Sequence, residues 1–437
     1  MKNLQPQGLW SNFYDLTQIP RPSGQKEEIS AYLANYGRSL GLETIVDAIG
    51  NVIIRKPASP GYENHPGVIL QGHMDMVPQK NNDTVFDFAK DSIEAYIDGE
   101  WVTAKGTTLG ADNGIGVAAA MAILADKSVV HPPLEVLVTV DEETGMFGAF
   151  ALEGGLLQGK ILLNLDSEAE GELYVGCAGG VDTTAKFAYT PVEVEEGDVA
   201  VKVSVTGCKG GHSGCDINLQ RANANKLLFR FLKEAVANYE ARLASVEGGS
   251  LRNAIPREAS AIITIPAEGI DEIMDLVAEF EDLFVAEYDG VEDNIHFVAE
   301  QVECPKMELP EDVQDFMIHA IVACPHGVYR VIPEMPDVVE TSNNLAMLST
   351  ADNCVTVCCL TRSSVESRKE ELQEIIHSVF AMAGAEVEFS GSYPGWKPNF
   401  KSHILDVMKQ TYQTKYGIDL RVIIIHAGLE CGIIGRN

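Results

Sequence analysis

The sequence is short of positive charge. Its 437 residues carry 32 Lys and Arg against 64 Asp and Glu, a formal charge of −32. A surface of that sign repels phosphate backbones, which argues against a nucleic-acid partner. Long apolar runs are also missing: no stretch reaches the roughly 18 residues that a membrane-spanning helix needs. The opening residues, MKNLQPQGLWSNFYDL, hold no apolar signal core. Cysteine is sparse, with nine residues scattered and no CxxC pair, a pattern of reduced thiols rather than a disulfide framework. No segment is of low complexity. The expectation is a cytoplasmic protein with neither a nucleic-acid nor a membrane partner.

What is present is an ordinary globular composition, 46% hydrophobic and 22% charged, over a length that allows two or three cores. The first 180 or so residues alternate between helical patterns (QKEEISAYLANYGRSLG, DNGIGVAAAMAILAD) and short β-rich runs (GVILQGHMDMV, LEVLVTV, KILLNLD). Strands alternating with helices imply a mainly parallel, covered sheet, an α/β fold. From about Lys186 the texture changes. VAVKVSVTG, the long helical stretch NLQRANANKLLFRFLKEAVANYEARL, SAIITIP and IDEIMDLVAEFEDLF are followed by EDVQDFMIHAIVA, NCVTVCCLTRS and SRKEELQEIIHSVFAMAG. This is strand–helix–strand–helix repeated twice, a weak internal duplication. It predicts an inserted α/β domain over 183–392, between a first part of the host domain at 1–182 and a second at 393–437.

Four acidic or imidazole positions fall at the ends of predicted strands or in the loops after them, the edge where open α/β sheets bind ligands. GHMDM places His73 and Asp75 two apart, facing the same way in an extended chain. His73 can bind a metal while Asp75 orients it; alone, the pair reads equally as a polar strand end. LGADNGIG puts Asp112 just before a helix, where Asp is a favoured N-cap, although the flanking glycines leave its carboxylate open to bridge two cations. TVDEETG crowds three acids after a strand. Either the loop is simply exposed, or one glutamate binds metal and its neighbour acts as a general base with a raised pKa. LLNLDSE ends a strand at Asp166. Together, histidine and carboxylates without cysteine suit zinc or manganese at a hydrolytic centre. In the predicted insert, the glycines of CKGGHSGCDI expose His212, a surface histidine or an oxyanion donor. GGSLRNAIP offers Asn253, and CLTRSS offers Arg362, a substrate-carboxylate clamp or a surface ion pair.

In order along the chain, IPRPSGQKEEI, LQGHMDMVPQKN, TLGADNGIG, DEETGMFGA, NLDSE, KGGHSG, LRNAIPRE and HAGLECG make the sequence similar to the M20 metallopeptidases. It resembles in particular their branch that cleaves Xaa-His and other unblocked dipeptides. The resemblance implies a zinc-peptidase catalytic domain with an inserted lid and a pair of zinc ions, with Mn2+ or Co2+ as possible replacements. It implies that His73 and Asp166 hold one ion, Glu143 the other, and Asp112 both, while Asp75 orients these ligands. Glu142 would be the general base for a metal-activated water, and His212 would steady the oxyanion. Asn253, Arg362 and the backbone at Gly428 would bind the substrate's ends. Smaller-lid relatives dimerise through the lid, whereas the doubled pattern suggests a lid that supplies its histidine within one chain; monomer and homodimer both stay open. The family pattern continues past HAGLECG to a second metal histidine, whereas this sequence ends at Asn437, so the second site is expected to be incomplete. Two other outcomes remain open: an M20 amidohydrolase or deacetylase acting on another N-acyl substrate, and a non-catalytic remnant.

Overall fold

Alternation along five short strands builds the first sheet. The strands are β1 (Glu43–Val46), β2 (Val52–Lys56), β3 (Val68–His73), β4 (Leu134–Thr139) and β5 (Ile161–Asn164), ordered β1-β2-β4-β3-β5. Side chains of successive residues point to opposite faces. Accordingly Val52, Ile54, Leu70, Val136 and Val138 enter one core, and Ile53, Ile69 and Leu137 enter another on the opposite face. The first core is covered by helices α1 (Gln7–Thr17), α2 (Glu27–Ser39) and α3 (Ala111–Ala125). The second is covered by short helices at Phe147–Ala151 and Glu430–Ile434. Helix α2 shows why the segment is helical: Ile29, Leu33 and Gly37 recur on its buried stripe, with Glu27 and Glu28 in the first turn and Arg38 in the last. The sheet is mixed. β3 runs parallel to β4 and β5, while β2 pairs antiparallel with β1 and β4. The parallel character expected from the sequence belongs to the half that carries the candidate ligands.

The structure, a computed structural model, describes residues 1–81 and 83–436; Asn437 lies outside the described residues. The chain divides into two units, Met1–Tyr174 with Phe400–Ile423 and Glu430–Asn437, and Val175–Asn399 with Ile424–Leu429. The first boundary therefore falls after Tyr174 rather than after Asp182, because the strand Gly179–Ala188 pairs into the second unit's sheet. The later boundary falls after Asn399 rather than at 392, and Ile424–Leu429, expected in the catalytic domain, groups with the second unit. Among the described residues no helix is long and apolar enough to cross a membrane.

The second unit holds a nine-stranded sheet. Its strands are β6 (Gly179–Ala188), β7 (Asp198–Thr206), β8 (Arg242–Gly248), β9 (Ala259–Pro266), β10 (His296–Val302), β11 (Gly327–Ile332), β12 (Met335–Ala351), β13 (Cys354–Ser363) and β14 (Glu386–Tyr393). They lie in the order β10-β7-β9-β8-β12-β13-β6-β14, with β11 beside β12. Helices α4 (Ala224–Asn238), α5 (Ile270–Glu287), α6 (Glu311–Ala323) and α7 (Glu366–Met382) share one continuous core with it. The duplication is visible in the order of strands. β7, β8, β9 and β10 with α4 and α5 form one β-α-β-β-α-β half, and β6, β12, β13 and β14 with α6 and α7 form its mirror in sheet order. The halves join through two residue pairs, Glu247 with Ser349 and Gly248 with Leu348. The first half is inserted within the second, and its entry and exit are clamped by Val192–Glu193 pairing with Met307–Glu308.

Two expectations change here. The helix expected from Asn218 onward is shorter, because Asn223 accepts the amide of Lys226 as an N-cap and Arg242 and Leu243 already belong to β8. β12, the longest strand, has no counterpart among the sequence-predicted strands, because its buried run Thr341–Asn344 is polar.

Candidate metal centre

Three parallel strands of the first unit finish at the same edge of the sheet. His73 closes β3 with Asp75 two residues on, Glu142 and Glu143 follow β4, and Asp166 follows β5. Asp112 joins them from α3, which packs against β3. Asp112 and Asn113 have non-helical dihedrals, ψ 114° and 28°, so the regular helix begins only after them. The Asp112 carboxylate turns to His73 instead of capping. His73 Nε2 lies 3.0 Å from Asp112 Oδ1 and 3.5 Å from Asp166 Oδ1. Donor atoms of His73, Asp112 and Asp166 all stand within 4.8 Å of one another, the one such group among the described residues. Glu143 stands at the neighbouring strand end but is not a member of that group.

The electrostatics are those of a site crowded with negative charge. Burial disfavours a charged His73 ring, yet hydrogen bonds to Asp112, Asp166 and Asp75 outweigh it and hold the imidazole far above its ordinary pKa. Asp112 is held below its ordinary range, chiefly by its hydrogen bond to His73, whereas burial pushes Asp166 up. Glu142 is pushed up to about 8 by burial, with Glu430, Asp166 and Glu143 adding to the shift against the opposing pull of His73. Glu143 reaches about 7, again through burial first and then Asp112.

Asp75 organises the loop after β4. Its Oδ1 accepts the amide of Glu142 (3.1 Å), and its Oδ2 accepts the amide of Glu143 (3.3 Å) and the Ser23 hydroxyl (2.8 Å). The same carboxylate lies 3.3 Å from His73 Nδ1. Burial would raise its pKa, but these contacts keep it low. Asp75 thus sets both the imidazole and the backbone that presents the two glutamates.

Four further residues, not singled out from the sequence, hold this arrangement. Asn113 receives the His73 amide on Oδ1 (3.3 Å) and donates Nδ2 to Leu165 O (2.7 Å), tying the ends of β3 and β5 together. A side chain at Gly72 would collide with Asn113 Oδ1, which is why glycine precedes His73. Arg21, fully buried, donates to the carbonyls of Met74, Asp75 and Gly110; burial lowers its pKa to about 10. Gln71 and Glu430 form a buried polar pair beneath β3. The usable signal was polar residues inside otherwise apolar runs, Gln71 in VILQGH above all.

The second unit gathers a different set. His212 Nδ1 accepts the amides of Gly214 (3.1 Å) and Cys215 (3.0 Å), which leaves the ring proton on Nε2. Burial and the nearby Arg362 lower its pKa, so the ring is neutral. Ser213 donates its amide to Asn253 O (2.8 Å), and its hydroxyl accepts from Arg362 Nε (3.2 Å). Arg362 is only 4% exposed and also donates to the Tyr393 hydroxyl at 2.7 Å. Among the described residues no carboxylate lies within 4.0 Å of this guanidinium. A buried cation held by two neutral groups is suited to an anionic ligand. Gly428 lies half-buried in the segment after His426, whose Nε2 meets Ser342 Oγ at 2.7 Å.

The donor set of the first unit fits a divalent cation. One imidazole and two carboxylates converge with no thiolate, a combination suited to zinc or manganese. The far nitrogen of His73 already faces a carboxylate, as metal-binding imidazoles usually do. Positive charge is what the crowded acids lack.

Comparison with known proteins agrees with this geometry. The model of peptidase family M20/M25/M40 matches residues 69–436. The chain is 46% identical over 436 residues to the cytosol non-specific dipeptidase of Escherichia coli (strain K12), covering 100% of this chain and 90% of that protein. Aminoacylhistidine dipeptidase from Vibrio alginolyticus superposes with a TM-score of 0.94 at 47% identity, covering 100% of this chain and 89% of that one. Aminopeptidase PepT from Bacillus cereus shares the fold, with a TM-score of 0.54 at 17% identity over 99% of this chain and 88% of its own.

Proposed function

The chain belongs to peptidase family M20/M25/M40, and from that premise we propose that it hydrolyses dipeptides with free termini, Xaa-His among them, with the help of bound divalent cations. The observation that carries the reading is the convergence of His73, Asp112 and Asp166 beside the loop of Glu142 and Glu143. His73, Asp112 and Asp166, with Glu143 beside them, would hold the cations. When bound, the cations supply Lewis acidity and make water a stronger acid.

The protein's own residues do the rest. Asp75 keeps His73 and the Glu142–Glu143 backbone in place. Glu142 takes a proton from the attacking water and returns it to the leaving amine. His212, neutral with its proton on Nε2, donates to the oxyanion. Arg362 binds the substrate carboxylate, and Asn253 and the backbone at Gly428 bind the remaining polar groups at the substrate's ends. The setting is cytoplasmic, with zinc as the native metal and a monomer or homodimer as the working form.

Purified protein loaded with zinc, manganese or cobalt is assayed on a panel of free dipeptides and their N-acetylated counterparts. Release of amino acids from the free dipeptides is the expected result. Turnover confined to the N-acetylated set would move the activity to an amidohydrolase, and no turnover with any metal would overturn the hydrolytic reading.

A further inference from the structure

One buried acid of the first unit has no part in the reading above. Glu430 is 2% exposed and opens the short helix Glu430–Ile434. Its Oε2 accepts from Gln71 Nε2 (2.5 Å) and Thr139 Oγ1 (2.9 Å). Gln71 Oε1 in turn accepts from Asn164 Nδ2 (2.6 Å). These three partners sit on β3, β4 and β5, two residues before His73, three before Glu142 and two before Asp166. The same partners are tied through the backbone: Gln71 O accepts Leu165 N, and Thr139 O accepts Met74 N, each at 2.8 Å. The Glu430 carboxylate therefore bonds to β3 and β4 directly and reaches β5 through Gln71, at the level just beneath the donors.

Its charge is the second observation. Among the described residues no basic side chain forms an ion pair with Glu430, and its Oε1 is buried without a hydrogen-bond partner. A buried carboxylate is unfavourable unless positive charge compensates it. Its near surroundings offer mostly more acids, Asp166 and Glu142, with His73 alone of opposite sign. We infer that Glu430 is a positioning residue which, directly and through Gln71, clamps the ends of β3, β4 and β5, and whose carboxylate, buried without a basic partner behind the donor cluster, makes the site favour a divalent cation. This deepens the metallopeptidase reading and rests on it.

The test compares the parent with Glu430→Gln, a near-isostere that keeps the acceptor and removes the charge. Two quantities are read: the zinc dissociation constant, by competition with a chromophoric chelator, and the thermal midpoint of the metal-free protein. Expected is at least a tenfold loss of zinc affinity, with the metal-free midpoint unchanged or raised. A purely structural role would lower the midpoint and leave the affinity alone. If the Gln variant does not fold, Thr139→Val, which removes one donor and keeps the charge, is measured the same way and is expected to lose affinity several-fold. Parent-like affinity, within twofold, in the folded variant overturns the inference and leaves the metallopeptidase reading standing. A parent that takes up no zinc overturns both.

Discussion

Both units bury ionisable groups, and around their candidate site residues they do so with opposite sign. In the first, Asp112, Asp166, Glu142, Glu143 and Glu430 crowd around a single imidazole, and burial drives most of these acids upward. In the second, Arg362 is buried among neutral partners, and His212, His326 and His426 are driven downward, the last two to about 3, through burial first. Neither arrangement is the lowest-energy way to fill a protein interior. Under the proposed function each is half of an interaction whose other half is a ligand, a cation for the first unit and an anion or developing oxyanion for the second. Sheet type follows the same division. Parallel strands bring several loop starts to one edge, where donors from distant parts of the chain meet. The antiparallel sheet of the second unit instead presents residues from a long strand and a turn on a stable platform.

If that contrast is correct, variants should separate into two kinds. The largest effect is expected on the cation side: His73→Ala, or exhaustive chelation of the parent, should reduce dipeptide hydrolysis to background, and added zinc should restore only the chelated parent. Glu142→Gln comes next. Turnover should fall by about 10²–10⁴-fold while zinc binding, read by chelator competition, stays at the parent level; a parallel loss of zinc would make Glu142 a ligand instead. On the anion side, Arg362→Ala should raise KM for free dipeptides by roughly 10–100-fold, the worth of a charged hydrogen bond, with zinc affinity untouched. A substrate whose carboxylate is amidated should be nearly insensitive to that change.

The smallest effect is on stability, and its direction differs between the units. Metal-free Glu430 titrates near 7 against an ordinary value of 4.5. The stability associated with its neutral form is complete below about 4.5 and is lost as pH rises through 7. Glu430→Gln should therefore gain on the parent across that window. His326 behaves in reverse, at about 3 against 6.5. Its contribution is complete above 6.5 and is lost as pH falls toward 3, so His326→Asn should gain on the parent with acidification. Chemical denaturation of metal-free parent and variants across pH reads both differences, and equal pH slopes would erase the contrast.

The candidate site residues at the strand ends were legible because each follows a short apolar run: His73 after VILQG, Asp166 after ILLNL, the two glutamates after LEVLVTVD. Such runs announce a buried strand, and an acid or imidazole just past one stands at a sheet edge. Their supports were not legible. Asn113 looks like the second residue of a cap, and Arg21 looks like a loop cation. Glu430 works through residues some 290 and 360 positions away, a pairing only the fold creates. β12 was hidden for the same reason. Its Thr341, Ser342, Asn343 and Asn344 are buried polar residues hydrogen-bonded to Ser363, His426, Pro325 and Ala254. Hydropathy describes a residue's preference for water, and here specific partners replaced the water.

The two-strand clamp at Val192–Glu193 and Met307–Glu308 has a consequence for how the molecule can vary. A module whose entrance and exit are stitched together can be shortened, enlarged or exchanged by a genetic event at one spot, and the host half keeps its own strand order. Gene fusion thus has a ready insertion point at this neck, where an added domain would enter and leave the chain at one spot.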